Sequence, residues 1–171
     1  MAEMNRQPPE WTDRAPVKIR ASRELLATPD EVWAAICDHE RWPKWFEAID
    51  GCQATGGEGL GSTRTVTIGK ADIHEEFIVW DEPQSWGFTV LEAKGPLGRV
   101  ASSLNERIDI QVLASDRVRV TYLMAFQPRR FAGPAFRLLG GQLKKNLRVA
   151  LAGLDRFVEA ERSAARPVDG A

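Results

Sequence analysis

The 171-residue sequence contains only two cysteines and two histidines, and its formal net charge is −1. Two cysteines are too few for a disulfide framework, so we expect a reduced, cytoplasmic protein. The spacings among these residues match no zinc-ligand pattern, so we predict neither a metal site nor a cofactor. A nearly neutral chain also lacks the basic character of a nucleic-acid-binding domain, which excludes nucleic acid as an expected partner.

Long hydrophobic runs are absent as well. No stretch of about 18 apolar residues occurs, so we predict no transmembrane segment. Residues 1–11 contain prolines and acidic residues rather than the apolar core of a secretory signal.

The glycine-rich segment GGEGLGS (56–62) lacks the lysine of a phosphate-binding P-loop and precedes a β-branched strand, which predicts a hairpin loop. The sequence therefore contains no strong catalytic signature.

Alternation of apolar and polar residues dominates the middle of the chain. It predicts strands at 17–25, 62–69, 73–80, 86–93, 103–113 and 117–126. Short connections between most of them favour antiparallel neighbours. The apolar stripe of residues 133–162 predicts a long C-terminal helix, the only large element available to cover the apolar face of the sheet. We therefore predict an α+β fold in which a curved antiparallel sheet wraps around this helix.

The two ends of the chain differ in composition from this central part. Pro8, Pro9 and Pro16 punctuate the N-terminal residues. We accordingly predict a flexible N-terminal tail over 1–16, a single domain over 17–162 and a flexible C-terminal tail over 163–171.

The stretch ATPDEVWAAICDHERWPKWF (27–46) resembles the START-like, Bet v 1-type helix-grip superfamily (SRPBCC), in particular its polyketide cyclase/dehydrase branch. GLGSTRTV (59–66) and RVRVTY (117–122) follow in the expected order before the long helix. The resemblance covers residues 17–160 and implies a helix-grip fold of about seven strands, two short helices after the first strand and a deep apolar cavity. It does not fix the activity, because this fold hosts cyclases, lipid carriers and hormone receptors.

Strand parity identifies candidate ligand-binding residues, because alternate residues of a strand share a face. Over 73–80 the pattern only weakly determines which face of the strand lines the cavity, since both faces carry apolar residues. The tryptophans of 27–46 are expected mainly to wedge the short helices against the sheet, with ligand stacking by Trp45 as the alternative. The predicted lining comprises Trp45, Val66, Ile68, Phe77, Val79, Phe88, Val90, Leu104, Glu106, Ile108, Val120, Tyr122, Met124, Phe136, Leu139, Leu143 and Leu147.

Four polar side chains share these inner faces, and they are the only candidates for catalysis: Arg64, Glu75, Glu106 and Tyr122. They could orient the polar end of an apolar ligand, or act as acid and base in an aldol-type ring closure. The alternative is that Arg64 and a glutamate form a structural ion pair, or that these positions lie at the hydrated rim of the cavity. The sequence favours this alternative because structural ion pairs also occur in clefts.

A basic and aromatic edge lies where the last helix begins, with Arg129 and Arg130 close to Phe131. Together with the loop KGPLG (94–98), it is the predicted mouth of the cavity. Such an edge can approach an anionic membrane or a ligand carboxylate. We favour a simply solvated helix entrance, so peripheral membrane contact is not expected.

These features are compatible with three functions, and we favour ligand binding. The protein binds an apolar small molecule or lipid in the cavity, where burial of ligand surface supplies the affinity. The alternative is a polyketide cyclase or aromatase-type enzyme with a cyclase/dehydratase-like activity that uses the polar cavity residues. The third is a scaffold whose cavity is filled by side chains. Neither the ligand nor the oligomeric state can be read from the sequence.

Overall fold

The computed structural model describes residues 2–165, apart from the side chains of two residues early in the last helix. The strands in this part of the chain are β1 (Ala2–Glu3), β2 (Val17–Leu25), β3 (Gly51–Ala54), β4 (Thr63–Ile68), β5 (Ala71–Asp81), β6 (Ser85–Ala93), β7 (Ala101–Ala114) and β8 (Arg117–Pro128). The helices are α1 (Pro29–Cys37), α2 (Trp42–Trp45), α3 (Pro96–Val100) and α4 (Gly133–Ala165), with short 3-10 turns at Pro9–Asp13 and His39–Arg41. No helix among the described residues is long and apolar enough to span a membrane.

The strands form one antiparallel sheet in the order β2-β8-β7-β6-β5-β4-β3, and β1 adds to β6. α4 packs across the sheet against β2 and β8 and contacts α1 and α2. The predicted helix-grip fold is therefore confirmed. Because neighbouring strands run in opposite directions, the β4–β5 and β6–β7 connections lie at the same end of the sheet as the end of β8. The β3–β4, β5–β6 and β7–β8 connections lie at the other end.

The first helix begins where its capping residues predict. Thr28 accepts a hydrogen bond from the backbone N–H of Glu31 at 3.3 Å, and the Glu31 carboxylate accepts one from the backbone N–H of Thr28 at 2.8 Å. This reciprocal capping box satisfies two N–H groups that a helix start leaves unpaired. Trp33 and Ile36 are buried on the inner side of the helix, so α1 is held to the sheet by its apolar face.

The N-terminal segment differs from the predicted flexible tail. β1 pairs with β6, and Met4 is buried in the core. Further on, the Gln7 amide donates to Ser103 Oγ at 3.1 Å, and Asn105 Nδ2 donates to Thr12 Oγ1 at 3.2 Å. The outer face of β7 carries polar side chains that the segment buries and hydrogen-bonds, so residues 2–16 belong to the fold. In the predicted C-terminal tail, residues 163–165 continue α4, and 166–171 lie outside the described residues.

A bulge in β5 overturns one parity assignment. The register shifts between Phe77 and Val79, and Ile78 is the extra residue. Val79 then pairs with Gly87 on the outer face, whereas Trp80 turns inward and makes an edge contact with the Phe77 ring at 5.3 Å between centroids. The prediction that Val79 lies on the inner face is therefore wrong, because one inserted residue reverses the side on which the following residues lie.

Candidate functional site

A cavity of ≈ 490 Å³ lies between the inner face of the sheet and the first turns of α4. Its volume falls within the range of small-molecule sites. Most of its wall is apolar, and the polar or charged residues among its lining are Arg64, Glu75, Lys94, Glu106 and Tyr122. The apolar lining consists of Trp42, Phe46, Ile49, Val66, Ile68, Ala71, Ile73, Phe88, Pro96, Leu97, Val100, Leu104, Met124, Phe126, Phe136, Leu139 and Leu143.

The cavity has an exposed side and a buried side. Ile68, Lys94, Pro96 and Leu139 line it and are also exposed to solvent. We call these residues the mouth, and the corresponding end of the sheet the mouth end. The other polar lining residues are buried and form what we call the inner end: Arg64, Glu75, Glu106 and Tyr122.

The inner end contains a buried ion pair between neighbouring strands. Arg64 on β4 and Glu75 on β5 are direct cross-strand partners, and Arg64 Nε donates to Glu75 Oε2 at 2.6 Å. The guanidinium lies over aromatic rings of Trp42, Trp86 and Phe88, at 4.0, 4.7 and 4.9 Å from their centroids. Aromatic faces attract a cation, and they fix the planar guanidinium in one orientation.

His39 packs behind this ion pair. Its ring stacks on Phe77 at 5.1 Å between centroids, and its Nδ1 lies 3.5 Å from Arg64 Nη1. Burial lowers the pKa of His39 to about 4, and the charge of Arg64 acts in the same direction. The imidazole is therefore neutral at pH 7.

A second pair joins β7 to β8. Tyr122 Oη donates to Glu106 Oε2 at 2.5 Å, and both residues are buried. Burial raises the pKa of Glu106, as does the charge of Glu75; the hydrogen bond from Tyr122 and the charge of Arg64 oppose this, and the resulting pKa is about 8. Burial also raises the pKa of Tyr122 well above 10. Both groups are therefore largely uncharged at pH 7.

The charges of the inner end cancel. Burial raises the pKa of Glu75, but the charge and the hydrogen bond of Arg64 oppose this rise, so the two side chains form the ion pair while Glu106 and Tyr122 are neutral. The cavity thus ends in a polar but electrically balanced wall that contains a protonated carboxyl and a phenol. Such groups can hydrogen-bond an uncharged polar group without requiring a counter-charge.

The structure brings the four catalytic candidates together, as strand parity predicted, and places many of the other predicted residues on the cavity wall: Val66, Ile68, Phe88, Leu104, Met124, Phe136, Leu139 and Leu143. The remaining ones lie elsewhere. Phe77, Val90, Ile108, Val120 and Leu147 are buried in the closed part of the core, and Val79 faces outward. Trp45 packs against Trp42 in the core at 4.6 Å between ring centroids, and Trp42 takes the lining position instead.

Sequence reasoning missed several lining residues. Ile73 shares the parity of Glu75 and could have been found from that pattern. Trp42 and Ile49 come from α2 and the segment after it, where strand parity does not apply. The loop KGPLG, predicted at the mouth, does supply Lys94 and Leu97 to the lining.

Residues 16–159 match the model of the family described as polyketide cyclase / dehydrase and lipid transport. The chain belongs to this family. The match spans nearly all of the described sheet and most of α4, so both walls of the cavity lie within it. The predicted resemblance to the START-like superfamily is confirmed.

Other proteins are similar to this chain over nearly their whole length. An uncharacterized protein of Mycobacterium tuberculosis is 28% identical over 159 residues, which cover 91% of this chain and 93% of that protein. Among solved structures, the Zhui aromatase/cyclase from Streptomyces sp. R1128 is 16% identical with a TM-score of 0.72, and 91% of this chain and 99% of that one are covered. A START superfamily protein from Mycobacterium smegmatis is 17% identical with a TM-score of 0.68, over 84% and 97% of the two chains. At these identities the solved structures establish the fold alone.

Proposed function

We propose that the protein binds an apolar small molecule or lipid that carries an uncharged polar group at one end. The observation that carries this proposal is the cavity of ≈ 490 Å³, whose apolar walls lead to the balanced polar cluster at its inner end. Burial of the ligand's apolar surface supplies the affinity. Its polar end is oriented by Glu106 and Tyr122.

The inner end offers specific hydrogen-bonding groups to such a ligand. Tyr122 uses its proton on Glu106 Oε2, which leaves the acidic proton of Glu106 on the other carboxyl oxygen. A ligand carbonyl or hydroxyl can accept that proton, and a hydroxyl can in turn donate to the phenol oxygen.

A ligand carboxylate fits this end poorly. Arg64, the basic residue among the four that form the inner end, already pairs with Glu75. A second negative charge would lie near the Glu75 carboxylate in a buried site, and an uncompensated buried charge is costly. The cavity therefore selects a neutral polar end over an acidic one.

Isothermal titration with dodecanol and dodecanoate at pH 7 tests the proposal. We expect dodecanol to bind at least about tenfold more tightly, which corresponds to about 1.4 kcal/mol. Leu143→Trp, which adds volume to the cavity wall, should abolish binding of both compounds. Leu26→Trp is the matched control, because Leu26 is exposed and lies outside the cavity. Binding unaffected by Leu143→Trp would refute the cavity as the site.

A cyclase or aromatase-type enzyme is the second candidate. It is favoured by the neutral carboxyl of Glu106, held beside the Tyr122 hydroxyl, because a carboxyl with a pKa near the working pH is suited to general-acid catalysis. If a polyketide-like substrate is converted, Glu106→Gln should lose turnover and keep most of its affinity. The third candidate, a scaffold with a filled cavity, is disfavoured by the volume between sheet and helix.

A further inference from the structure

The connections at the two ends of the sheet carry opposite charges. At the mouth end, residues 69–70, 94–100 and 129–132 contain basic residues and no acidic one. At the other end, residues 55–62, 82–84 and 115–116 contain acidic residues and no basic one. The basic residues are Lys70, Lys94, Arg99, Arg129 and Arg130, and the acidic ones are Glu58, Glu82 and Asp116. A protein with a net charge of only −1 is thus electrically polarised along the sheet.

The long helix extends the positive end. No acidic residue occurs between Asp116 and Asp155, whereas Lys144, Lys145 and Arg148 are exposed on α4. Glu3 and Glu92 also lie at this end, as register partners on β1 and β6, and two further acidic side chains are partly engaged by hydrogen bonds. Asp50 accepts from the backbone N–H of Gly69, and Asp72 accepts from Thr67 Oγ1. The positive charge at the mouth end is therefore only partly offset.

Large apolar side chains are exposed at the same end. Phe131, in the connection that precedes α4, is 86% exposed, and Leu138 on the second turn of α4 is 85% exposed. Leu139 and Ile68, at the mouth itself, are 46% and 40% exposed. The loop that carries Phe131 is anchored on α3, because the side chain of Arg129 donates to the carbonyl of Gly98 at 2.9 Å. These apolar groups are consequently presented on an ordered edge of the cavity.

We infer that the mouth end docks onto an anionic lipid bilayer. Basic residues are attracted to the negative headgroups, and exposed Phe and Leu side chains bury their apolar surface among the acyl chains. A nucleic acid would use the positive charge but not the apolar side chains. The sequence placed this edge and the KGPLG loop at the mouth but favoured a solvated helix entrance, because it did not show that the basic β4–β5 connection and the exposed Leu138 lie at the same end.

The orientation of the bound protein follows from the same charges. Acidic connections at the opposite end are repelled by the bilayer, so the mouth faces the lipid. Each basic residue near an anionic surface strengthens binding about fivefold, equivalent to about 1 kcal/mol. This inference goes beyond the proposed ligand-binding function and does not depend on the identity of the ligand.

Vesicle flotation tests the docking surface with the full-length protein. We expect binding to phosphatidylcholine vesicles that contain about a quarter phosphatidylserine, and at least about tenfold weaker binding to pure phosphatidylcholine. Raising the salt concentration from about 0.05 M to about 0.5 M should release most of the protein, since salt screens charges at a surface.

Matched variants at the two ends locate the surface. Leu138→Asp should weaken binding to the anionic vesicles at least about tenfold, whereas Leu60→Asp should leave it unchanged. Leu60 is the fair control because it is 70% exposed and lies at the acidic end. Arg130→Glu should likewise weaken binding about tenfold or more, and Arg117→Glu, at the start of β8, should not. All four positions are exposed, so we expect the free energies of unfolding to change little.

Two results would overturn the inference. One is failure of the unmodified protein to bind anionic vesicles at low salt, which would make an acidic protein the better partner for this end. The other is an equal loss of binding in the paired variants of the two ends. Dodecanol binding measured without vesicles is a separate readout, so failure of docking and failure of the proposed ligand function are distinguishable.

Discussion

Two basic side chains line the same cavity in opposite surroundings. Arg64 at the inner end is 1% exposed, pairs with Glu75 and stacks over Trp42. Lys94 at the mouth is exposed at the end of β6. The inner residue is oriented by the fold before any ligand arrives, whereas the outer one is available to whatever approaches the mouth. Arg64 is thus a fixed group of the cavity wall, and Lys94 is an accessible one.

The contrast arises from the elements that carry these residues. Inner-end groups lie on β4, β5, β7 and β8, where each backbone is held by its neighbouring strands. Mouth groups lie mostly on connections and on the first turns of α4. Rigid strands support precise orientation, and surface connections tolerate change and carry recognition. Substitutions at the two places should therefore differ in their cost to stability.

The largest expected difference is between Arg64→Ala and Lys94→Ala. Arg64→Ala leaves the Glu75 carboxylate buried without its partner, which should lower the free energy of unfolding by about 3–5 kcal/mol. Lys94→Ala removes an exposed side chain and should change it by less than about 0.5 kcal/mol. Urea denaturation at pH 7 measures both values.

The double variant Arg64→Met/Glu75→Leu identifies the cause of that loss. Replacing both members of a buried ion pair with apolar side chains avoids an unpaired charge, so we expect most of the stability to return. If the double variant were as unstable as Arg64→Ala, packing of the guanidinium on the aromatic rings would be the main contribution rather than charge compensation.

Glu106 gives the inner end a pH dependence. Its folded pKa of about 8 lies above the ordinary value of 4.5, so the folded protein holds a proton that the unfolded chain releases between these values. The resulting stability is present below pH 4.5 and is lost as the pH rises through 8. As the pH rises from 6 to 8, the titration of Glu106 should lower the free energy of unfolding by about 2 kcal/mol.

Glu106→Gln removes this titration and preserves a group that can accept the Tyr122 hydrogen bond. We expect the variant to lose the decrease between pH 6 and pH 8 that the unmodified protein shows. His39, whose folded pKa of about 4 lies below its ordinary value, has the opposite sign and loses stability as the pH falls below 6.5. It is present in both proteins and cancels in the comparison. Equal pH profiles would mean that Glu106 is ionised in the folded state at pH 6.

Residue patterns were sufficient to predict the inner end because it lies on regular strands. The parity of β4, β7 and β8 placed Arg64, Glu106 and Tyr122 on one face, and the structure brings them together. Parity failed for Val79, since a bulge reverses the faces of β5 in the stretch where both faces carry apolar residues. A period of two describes a strand only as long as its ladder is uninterrupted.

The N-terminal segment was missed for a different reason. Its prolines and polar residues are typical of a tail. Nothing in the local sequence shows that the segment will cover Ser103 and Asn105 on the outer face of β7. The short helix α3 was not predicted, because the glycines and the proline of KGPLG (94–98) are typical of a turn. Long-range hydrogen bonds, rather than local propensity, decide both segments.

The first turns of α4 lie at the mouth, whereas its part over 147–158 packs in the core. A Cβ atom on Gly153 would stand 1.9 Å from the carbonyl oxygen of Trp45, whereas one on Gly140 would meet no atom within 4 Å. Gly153→Ala should therefore push α4 away from α2 and lower the free energy of unfolding by at least about 1 kcal/mol. Gly140→Ala should raise it by about 0.5–1 kcal/mol, since alanine favours the helix.

Both changes add the same methyl group to the same helix, so helix propensity contributes equally to them and their difference reports packing alone. Thermal and urea unfolding of the two variants measure that difference. A stabilising Gly153→Ala would mean that α2 and α4 are separated in solution and that the cavity is less tightly closed at its packed side. A destabilising Gly140→Ala would mean that the mouth half of α4 is packed or bent at this glycine, and the contrast between the two halves of the helix would fail.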